Sequence, residues 1–236
     1  MANAALIEAE WNQAAWGNLE TNLSFLALVG LPAAPQHILE IGCGKGAILS
    51  RLQAAGHKCR GIDIDPAALA DCRAAHPDLD VDLASGDALP FEAGSFDLVL
   101  SFDVFEHMRA SDRHVEEVRR VLRPGGQYLL QTPNKWTNIP FEVLRQIKKL
   151  HLGPVAAYRE ATRDHCALHN YWQLQRRFRD HGFELSFFDV PVVNEYFRTK
   201  MRNYLGPLGP ALLAVFNPDR FPMPLRTNFY ARAVWR

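Results

Sequence analysis

Cysteine, net charge and long apolar runs are what this sequence has little of. Its 236 residues include four cysteines, Cys43, Cys59, Cys72 and Cys166, and no two form a CxxC pair. That argues against a zinc knuckle or a disulfide scaffold and fits a reducing compartment. No stretch approaches the roughly 18 apolar residues of a spanning helix, and no basic segment followed by an apolar core opens the chain. A soluble, cytoplasmic protein is expected. Lys and Arg total 26 and Asp and Glu total 26, so the formal charge is zero. The balance is local, however: residues 1–134 carry 10 basic against 18 acidic side chains, and residues 135–236 carry 16 against 8. An acidic front and a basic back suit either an anionic partner or plain solvated faces. Repeats and low-complexity tracts are absent, and the length fits one elaborated domain of roughly 200–250 residues.

What the sequence does have is alternation. Residues 4–30 mix Ala, Leu and Trp at helical spacing and stop at Gly30-Leu31-Pro32. Strand-like runs then follow at His37–Ile41, Cys59–Ile62, Val81–Ala84, Phe96–Ser101 and Gln127–Thr132. Helical stretches near Ala47–Ala55, Ala67–Ala75 and Asp112–Leu122 separate them. This β-α-β rhythm predicts a parallel sheet with helices on both faces. After Pro133 the rhythm breaks into a helical patch at Phe141–Leu150, a His- and Tyr-rich loop, a helix at Tyr171–His181, and strands at Phe183–Val190 and Phe229–Trp235. The Pro-, Gly- and aromatic-rich segment Pro191–Arg226 reads as an inserted cap.

Three segments carry chemistry. Ile38-Leu39-Glu40-Ile41-Gly42-Cys43-Gly44-Lys45-Gly46-Ala47 is an apolar strand, a glycine-rich turn and a helix start. Its glycines permit positive φ and let a ligand approach the backbone. A nicotinamide fingerprint and a plain tight turn share that pattern, whereas a phosphate P-loop does not, because Lys45 is followed by Gly. Gly61-Ile62-Asp63-Ile64-Asp65-Pro66 places an acid about twenty residues later, at a strand end, where it can accept from both hydroxyls of a ribose. Asp63 is assigned that role, and Asp65, directly before Pro66, is assigned to capping the next helix. Ser85-Gly86-Asp87-Ala88-Leu89-Pro90-Phe91 and Gly94-Ser95-Phe96-Asp97-Leu98-Val99 complete the series.

In this order, closed by Leu122-Arg123-Pro124-Gly125-Gly126, the motifs resemble class I S-adenosylmethionine (SAM)-dependent methyltransferases over residues 36–135, with a type 11 or ubiquinone-pathway O-methyltransferase character. The resemblance implies a Rossmann-like, seven-stranded, mostly parallel sheet with an antiparallel last strand and a C-terminal cap insertion. It also implies SAM as cofactor, with S-adenosylhomocysteine as product. Glu40, Gly42, Cys43, Gly44 and Gly46 would line the methionine and ribose side and Asp63 would meet the ribose hydroxyls. Asp87 would accept from the adenine amino group, or serve only as a turn residue, and Ile64 and Ala88 would pack on the ring. Ser101, with Asp103, would lie near the reacting methyl, and Leu122–Gly126 would be the turn into the fifth strand. The matching division is an N-terminal helical cap (1–35), a SAM-binding core (36–135) and acceptor-binding segments with the closing strands (136–236).

Asp103-Val104-Phe105-Glu106-His107-Met108 follows the fourth strand. If it is helical, Asp103, Glu106 and His107 share a face. The spacing is similar to the E-x-x-E-H segment of ubiquinone-pathway O-methyltransferases and small-RNA 3′-end methyltransferases, which is associated with a divalent metal, although Asp here replaces the first Glu. Three readings stay open. His107 is a general base, with Asp103 beside it; or Asp103, Glu106 and His107 hold a metal; or the segment only orders its loop. Elements outside the core would grip the acceptor: the N-terminal helices with Trp11 and Trp16, Pro133–His169 with His165 and His169, and the cap. A small-molecule or lipid-like acceptor, methylated on a hydroxyl, is the leading expectation. Nitrogen or carbon acceptors, or a non-catalytic SAM-binding module, are the alternatives. Nucleic acid is disfavoured because residues 1–134 carry no basic stripe with interleaved aromatics. Leu205–Phe216, apolar and flanked by Arg198, Lys200, Arg202 and Arg220, together with Arg145, Lys148 and Lys149, suits either a packed cap or peripheral contact with an anionic membrane.

Overall fold

A computed structural model of the protein describes residues 18–140, 143 and 165–235. Trp11, Trp16, Arg145, Lys148, Lys149 and all but Val143 of the expected Phe141–Leu150 helix lie outside the described residues.

Helix α1 (residues 18–29) leads into strand β1 (His37–Ile41), α2 (Leu49–Ala54), β2 (Lys58–Asp63), α3 (Pro66–Ala75), β3 (Asp80–Leu83), β4 (Phe96–Phe102), α4 (Ser111–Val121) and β5 (Leu122–Pro133). A described helical stretch at 135–140 (α5) follows. Then come α6 (Tyr171–Asp180), β6 (Phe183–Phe188), α7 (Glu195–Leu205), α8 (Leu208–Val215) and β7 (Asn228–Trp235). The strands form one seven-stranded sheet in the order β3-β2-β1-β4-β5-β7-β6. Strands β1 to β5 run parallel, and β7 is antiparallel to both β5 and β6. The chain order reverses between β2 and β4 at β1, and that switch point opens a crevice at the strands' carboxyl edge.

The apolar runs of the sequence are continuous because both faces of the sheet are covered. Along β1, Ile38 faces one core and Leu39 and Ile41 the other. The Leu39 face packs on Val115, Val118 and Val121 of α4 and Leu174 and Phe178 of α6. The Ile38 face packs on Leu49 and Leu52 of α2, Leu69 of α3 and Phe25 of α1. Phe25 is fully buried, with ring centroids 5.3 Å from Phe188 and Tyr230 and 6.2 Å from Phe102. Residues 18–29 thus contribute to the core itself. Local signals fix the helix starts. The Ala67 N–H donates to Asp65 Oδ1 (2.9 Å) with Pro66 at the first helical position, and Asn170 and Gln173 form a reciprocal capping box on α6.

One expectation needs correction. Leu122-Arg123-Pro124-Gly125-Gly126 is not a turn before the fifth strand but part of β5. Leu122 pairs with Phe96 and Gln127 with Leu98, so β5 advances five residues while β4 advances two. The surplus forms a bulge, which Gly125 accommodates at φ 78°.

Candidate functional site

The crevice is walled by the ends of four parallel strands: Gly42 after β1, Asp63 and Ile64 after β2, Gly86 after β3, and Asp103 and His107 after β4. Gly42 sits at φ 76°, and a methyl added there would overlap the Val104 side chain, so only glycine lets the β1 turn and the post-β4 loop close on each other. At Gly44 (φ 51°) a methyl would meet nothing within 4 Å, leaving open room above the turn for a ligand.

The backbone donors of this turn are already engaged. The Gly42 and Cys43 N–H groups both donate to the Ile62 carbonyl (2.8 and 3.0 Å), and the Gly44 N–H donates to Asp63 Oδ2 (2.8 Å). Asp63 Oδ1 also accepts from the Asp65 N–H (2.9 Å). Asp63 therefore ties two loops together while facing the crevice, and each carboxylate oxygen keeps a further lone pair for a hydroxyl donor. Cys43 contributes backbone only: its thiol is buried against Gly61, and burial raises its pKa far above the usual thiol value. Ile64, 69% exposed, forms an apolar lip at the crevice mouth.

Glu40 lies beneath the turn. It is buried, and its Oε2 has no hydrogen-bond partner. Burial, with the nearby Asp63 charge adding, pushes its carboxyl up to about 8. Glu40 does not itself line the crevice, but an uncompensated buried carboxyl directly before the turn suits a cationic ligand group.

Asp87, Ala88 and Ser101 do not line the crevice, whereas Gly86 does. The Ser85 hydroxyl donates to Asp87 Oδ1 (2.5 Å), and the Arg113 Nε donates to the Asp87 carbonyl (2.9 Å). Ser101 is fully buried under the strand end. The residue that fixes this loop is His114, which the sequence reading did not single out. Its Nδ1 lies 2.8 Å from the Gly86 carbonyl and its Nε2 lies 2.9 Å from the Tyr128 hydroxyl, with the ring fully buried. Burial lowers its pKa to about 4, so the imidazole is neutral. A polar residue on the buried stripe Ser111-His114-Val115-Val118-Val121 was the available signal.

Asp103 has φ 56° and is the one non-glycine residue with positive φ among those described. Aspartate tolerates this region better than most, and such strain gathers at functional sites. The Asp103 N–H donates to Gln131 Oε1 (2.8 Å), and Asp103 Oδ2 accepts from Asn18 Nδ2 (2.9 Å). A single 3₁₀ turn, Phe105–His107, follows, so the expected helical face shared by Asp103, Glu106 and His107 does not form. Glu106 and His107 instead meet His165: one ligand atom from each lies within 4.8 Å of the others. Glu106 is buried, accepts from Thr132 Oγ1 (3.2 Å), and is pushed well above the usual carboxylate range by burial, with Asp103 adding. The His107 and His165 rings stand 5.0 Å apart. The Ala167 N–H donates to the Glu106 carbonyl (2.8 Å), which brings the 165–169 segment to the site. His169 takes a different place, buried against Phe105, where burial lowers its pKa to about 4.

Next to the crevice lies a cavity of about 360 Å³ between α1, α5, α7 and α8. Its walls include Phe197, Met201, Leu213 and Phe216 and a polar set of asparagines and threonines, with no Asp, Glu, Lys or Arg among the described residues. Two of its residues touch the crevice groups: Asn18 bonds Asp103, and Asn138 Oδ1 lies 3.3 Å from His165 Nδ1. Asn18 was invisible to the sequence reading, since 85 residues separate it from Asp103.

Comparison with known proteins agrees with this layout. A family model described as a methyltransferase domain matches residues 39–130. A probable SAM-dependent methyltransferase of Mycolicibacterium smegmatis is 37% identical over 107 residues, 45% of this chain and 42% of that protein. A phthiotriol/phenolphthiotriol dimycocerosates methyltransferase of Mycobacterium ulcerans is 38% identical over 107 residues, 44% of this chain and 39% of that protein. The chain thus spans less than half the length of the curated relatives it matches. Among solved structures, a SAM-dependent methyltransferase from Mesorhizobium loti shares the fold, with a TM-score of 0.62 at 19% identity over 89% of this chain and 95% of that one. Residues 39–130 are thus similar to a methyltransferase domain, and the chain has the fold of that solved SAM-dependent methyltransferase.

Proposed function

We propose that this protein transfers a methyl group from SAM to a hydroxyl oxygen of an uncharged small-molecule or lipid-like acceptor held in the cavity. One observation carries this reading. The cavity, whose described lining residues carry no charge, joins the crevice at the Asn18–Asp103 and Asn138–His165 contacts, beside His107. The sulfonium of SAM supplies an already activated methyl, so the protein's work is alignment and exclusion of water. Asp63 accepts from the ribose hydroxyls with its remaining lone pairs, Glu40 faces the ammonium across the glycine turn, and Ile64 covers the adenine. Asp87 and Ala88 sit one loop position further out, for the amino group and ring edge. His107 takes the acceptor's hydroxyl proton, and Asp103 orients Asn18 against the acceptor. Residues 1–35 and 136–236 supply the acceptor walls around the 36–135 core.

The test is incubation with methyl-labelled SAM and fractionated metabolite and lipid extracts. The expected result is S-adenosylhomocysteine together with a labelled ether. A labelled amine or a carbon-methylated product would reassign the acceptor atom, and SAM held intact would leave a binding module.

A second reading rests on the Glu106–His107–His165 cluster. A divalent ion held there would orient the acceptor oxygen and favour its ionised form. Asp103, engaged with Asn18, would stand outside that set. Chelation followed by assay separates the two: full activity without added metal removes this reading, and loss reversed by Mg²⁺ or Mn²⁺ removes the metal-free base.

Glu40 gives a pH prediction. Its carboxyl is raised to about 8 in the free protein, so it is protonated at neutral pH. It therefore stabilises the free fold below its ordinary value, and that contribution is lost as pH rises toward about 8. A bound ammonium favours the ionised form, so SAM affinity should rise from about pH 6 to about 8 with a proton released on binding. Calorimetry in two buffers of different ionisation enthalpy checks this, and Glu40→Gln should abolish the proton release. Equal heats in both buffers for the unaltered protein would refute the assignment.

A further inference from the structure

We infer that helix α8 is a docking face for an anionic bilayer, from which a lipid-like acceptor enters the cavity. The sequence of α8, Leu208-Gly-Pro-Ala-Leu-Leu-Ala-Val215, contains no polar side chain. A helix that is apolar all round is ordinarily buried. Here only Gly209 and Leu213 are buried, and Leu208, Ala211, Leu212, Ala214 and Val215 face solvent. Leu208 is 69% exposed, Val215 73% and the following Phe216 61%. Contiguous apolar surface of this kind marks an interaction site.

The patch runs into the cavity, because Leu212 and Phe216 belong both to the exposed face and to the cavity wall. Anything seated on α8 therefore lies at the cavity's mouth. The surrounding charge identifies the occupant. Arg198 and Arg202, one turn apart on α7, and Arg220 after α8 are exposed and make no ion pair among the described residues. Of the nearby acids, Asp219 is taken up by the Val192 and Val193 N–H groups. An apolar face with these exposed arginines on the adjoining elements, free of ion pairs among the described residues, matches the acyl boundary and anionic headgroups of a lipid surface. A second copy of the chain fits less well, since a two-fold contact through α8 brings the same arginines together. No helix among the described residues is long and apolar enough to cross a membrane, so the contact is interfacial.

The delivery half of this inference rests on the proposed acceptor; the docking half stands without it. The full chain is sedimented with phosphatidylcholine vesicles, with and without phosphatidylglycerol. Expected are partitioning to the anionic vesicles, a drop on the order of tenfold for Leu208→Glu/Val215→Glu, and a lost anionic preference for Arg198→Glu/Arg202→Glu. SAM binding, measured by calorimetry on each variant, stays unchanged and reports that the core is folded. Unaltered protein left in the supernatant with anionic vesicles overturns the inference, as does a solution dimer that Leu208→Glu/Val215→Glu dissociates. Absence of SAM binding by calorimetry on the unaltered protein would sink the methyltransferase reading and leave the vesicle result standing, so the two failures are distinguishable.

Discussion

His107→Ala is expected to lower the methyl-transfer rate by about two to four orders of magnitude while SAM affinity stays within about twofold. His107 faces the crevice just after β4, with a ring nitrogen within 4.8 Å of ligand atoms of Glu106 and His165 rather than among the groups assigned to the ribose or methionine. Its loss therefore removes a proton acceptor and leaves the cofactor's seat intact. The effect should fall on kcat rather than on the SAM dissociation constant, and stopped assays with calorimetry on the same preparation read both. His165→Ala separates the base from the metal reading. In a metal centre His107 and His165 are equivalent ligands and their losses should be alike, whereas for a base His165 only positions the ring beside it at 5.0 Å. An unchanged rate in His107→Ala would leave the segment with the loop-ordering role alone.

Asp63→Ala should weaken SAM binding about a hundredfold, as expected for two charge-assisted hydrogen bonds of about 1.5 kcal/mol each. The same change orphans the Gly44 and Asp65 N–H groups that the carboxylate now holds. A melting point lower by about 2–6 °C is expected in the free protein as well. Asp63→Asn is the informative companion. Its amide retains one acceptor oxygen, so it should recover part of the stability without recovering the affinity. Unaltered SAM affinity in Asp63→Ala would show that the residue serves only to join the two loops.

Much of the SAM half was legible because its signals are local. Parallel strands covered on both faces appear as unbroken apolar runs, and β1 was predicted at its observed bounds. Asp65 before Pro66 announced its helix start, and the glycines of the β1 turn carry φ of 76°, 51° and 79°. The β5 bulge was misread as a turn, since a Pro-Gly-Gly sequence serves either and only the pairing of Leu122 with Phe96 decides. A helix through Asp103–His107 would have put its polar residues on one face. The left-handed Asp103 and a short 3₁₀ turn direct Glu106 and His107 toward His165 instead.

By itself the sequence determined a parallel sheet covered on both faces, a glycine turn after its first strand and an acid at the end of its second, because each follows from hydrophobic period, turn chemistry and capping within a few residues. Only the tertiary structure decided that His114 and Tyr128 brace the Gly86 loop, that His165 rather than Asp103 joins Glu106 and His107, and that Asn18 and Asn138 connect a second cavity to the crevice. Those contacts join residues 14 to 85 positions apart. Neither periodicity nor propensity encodes them, since both describe neighbours along the chain, while a site is made of neighbours in space.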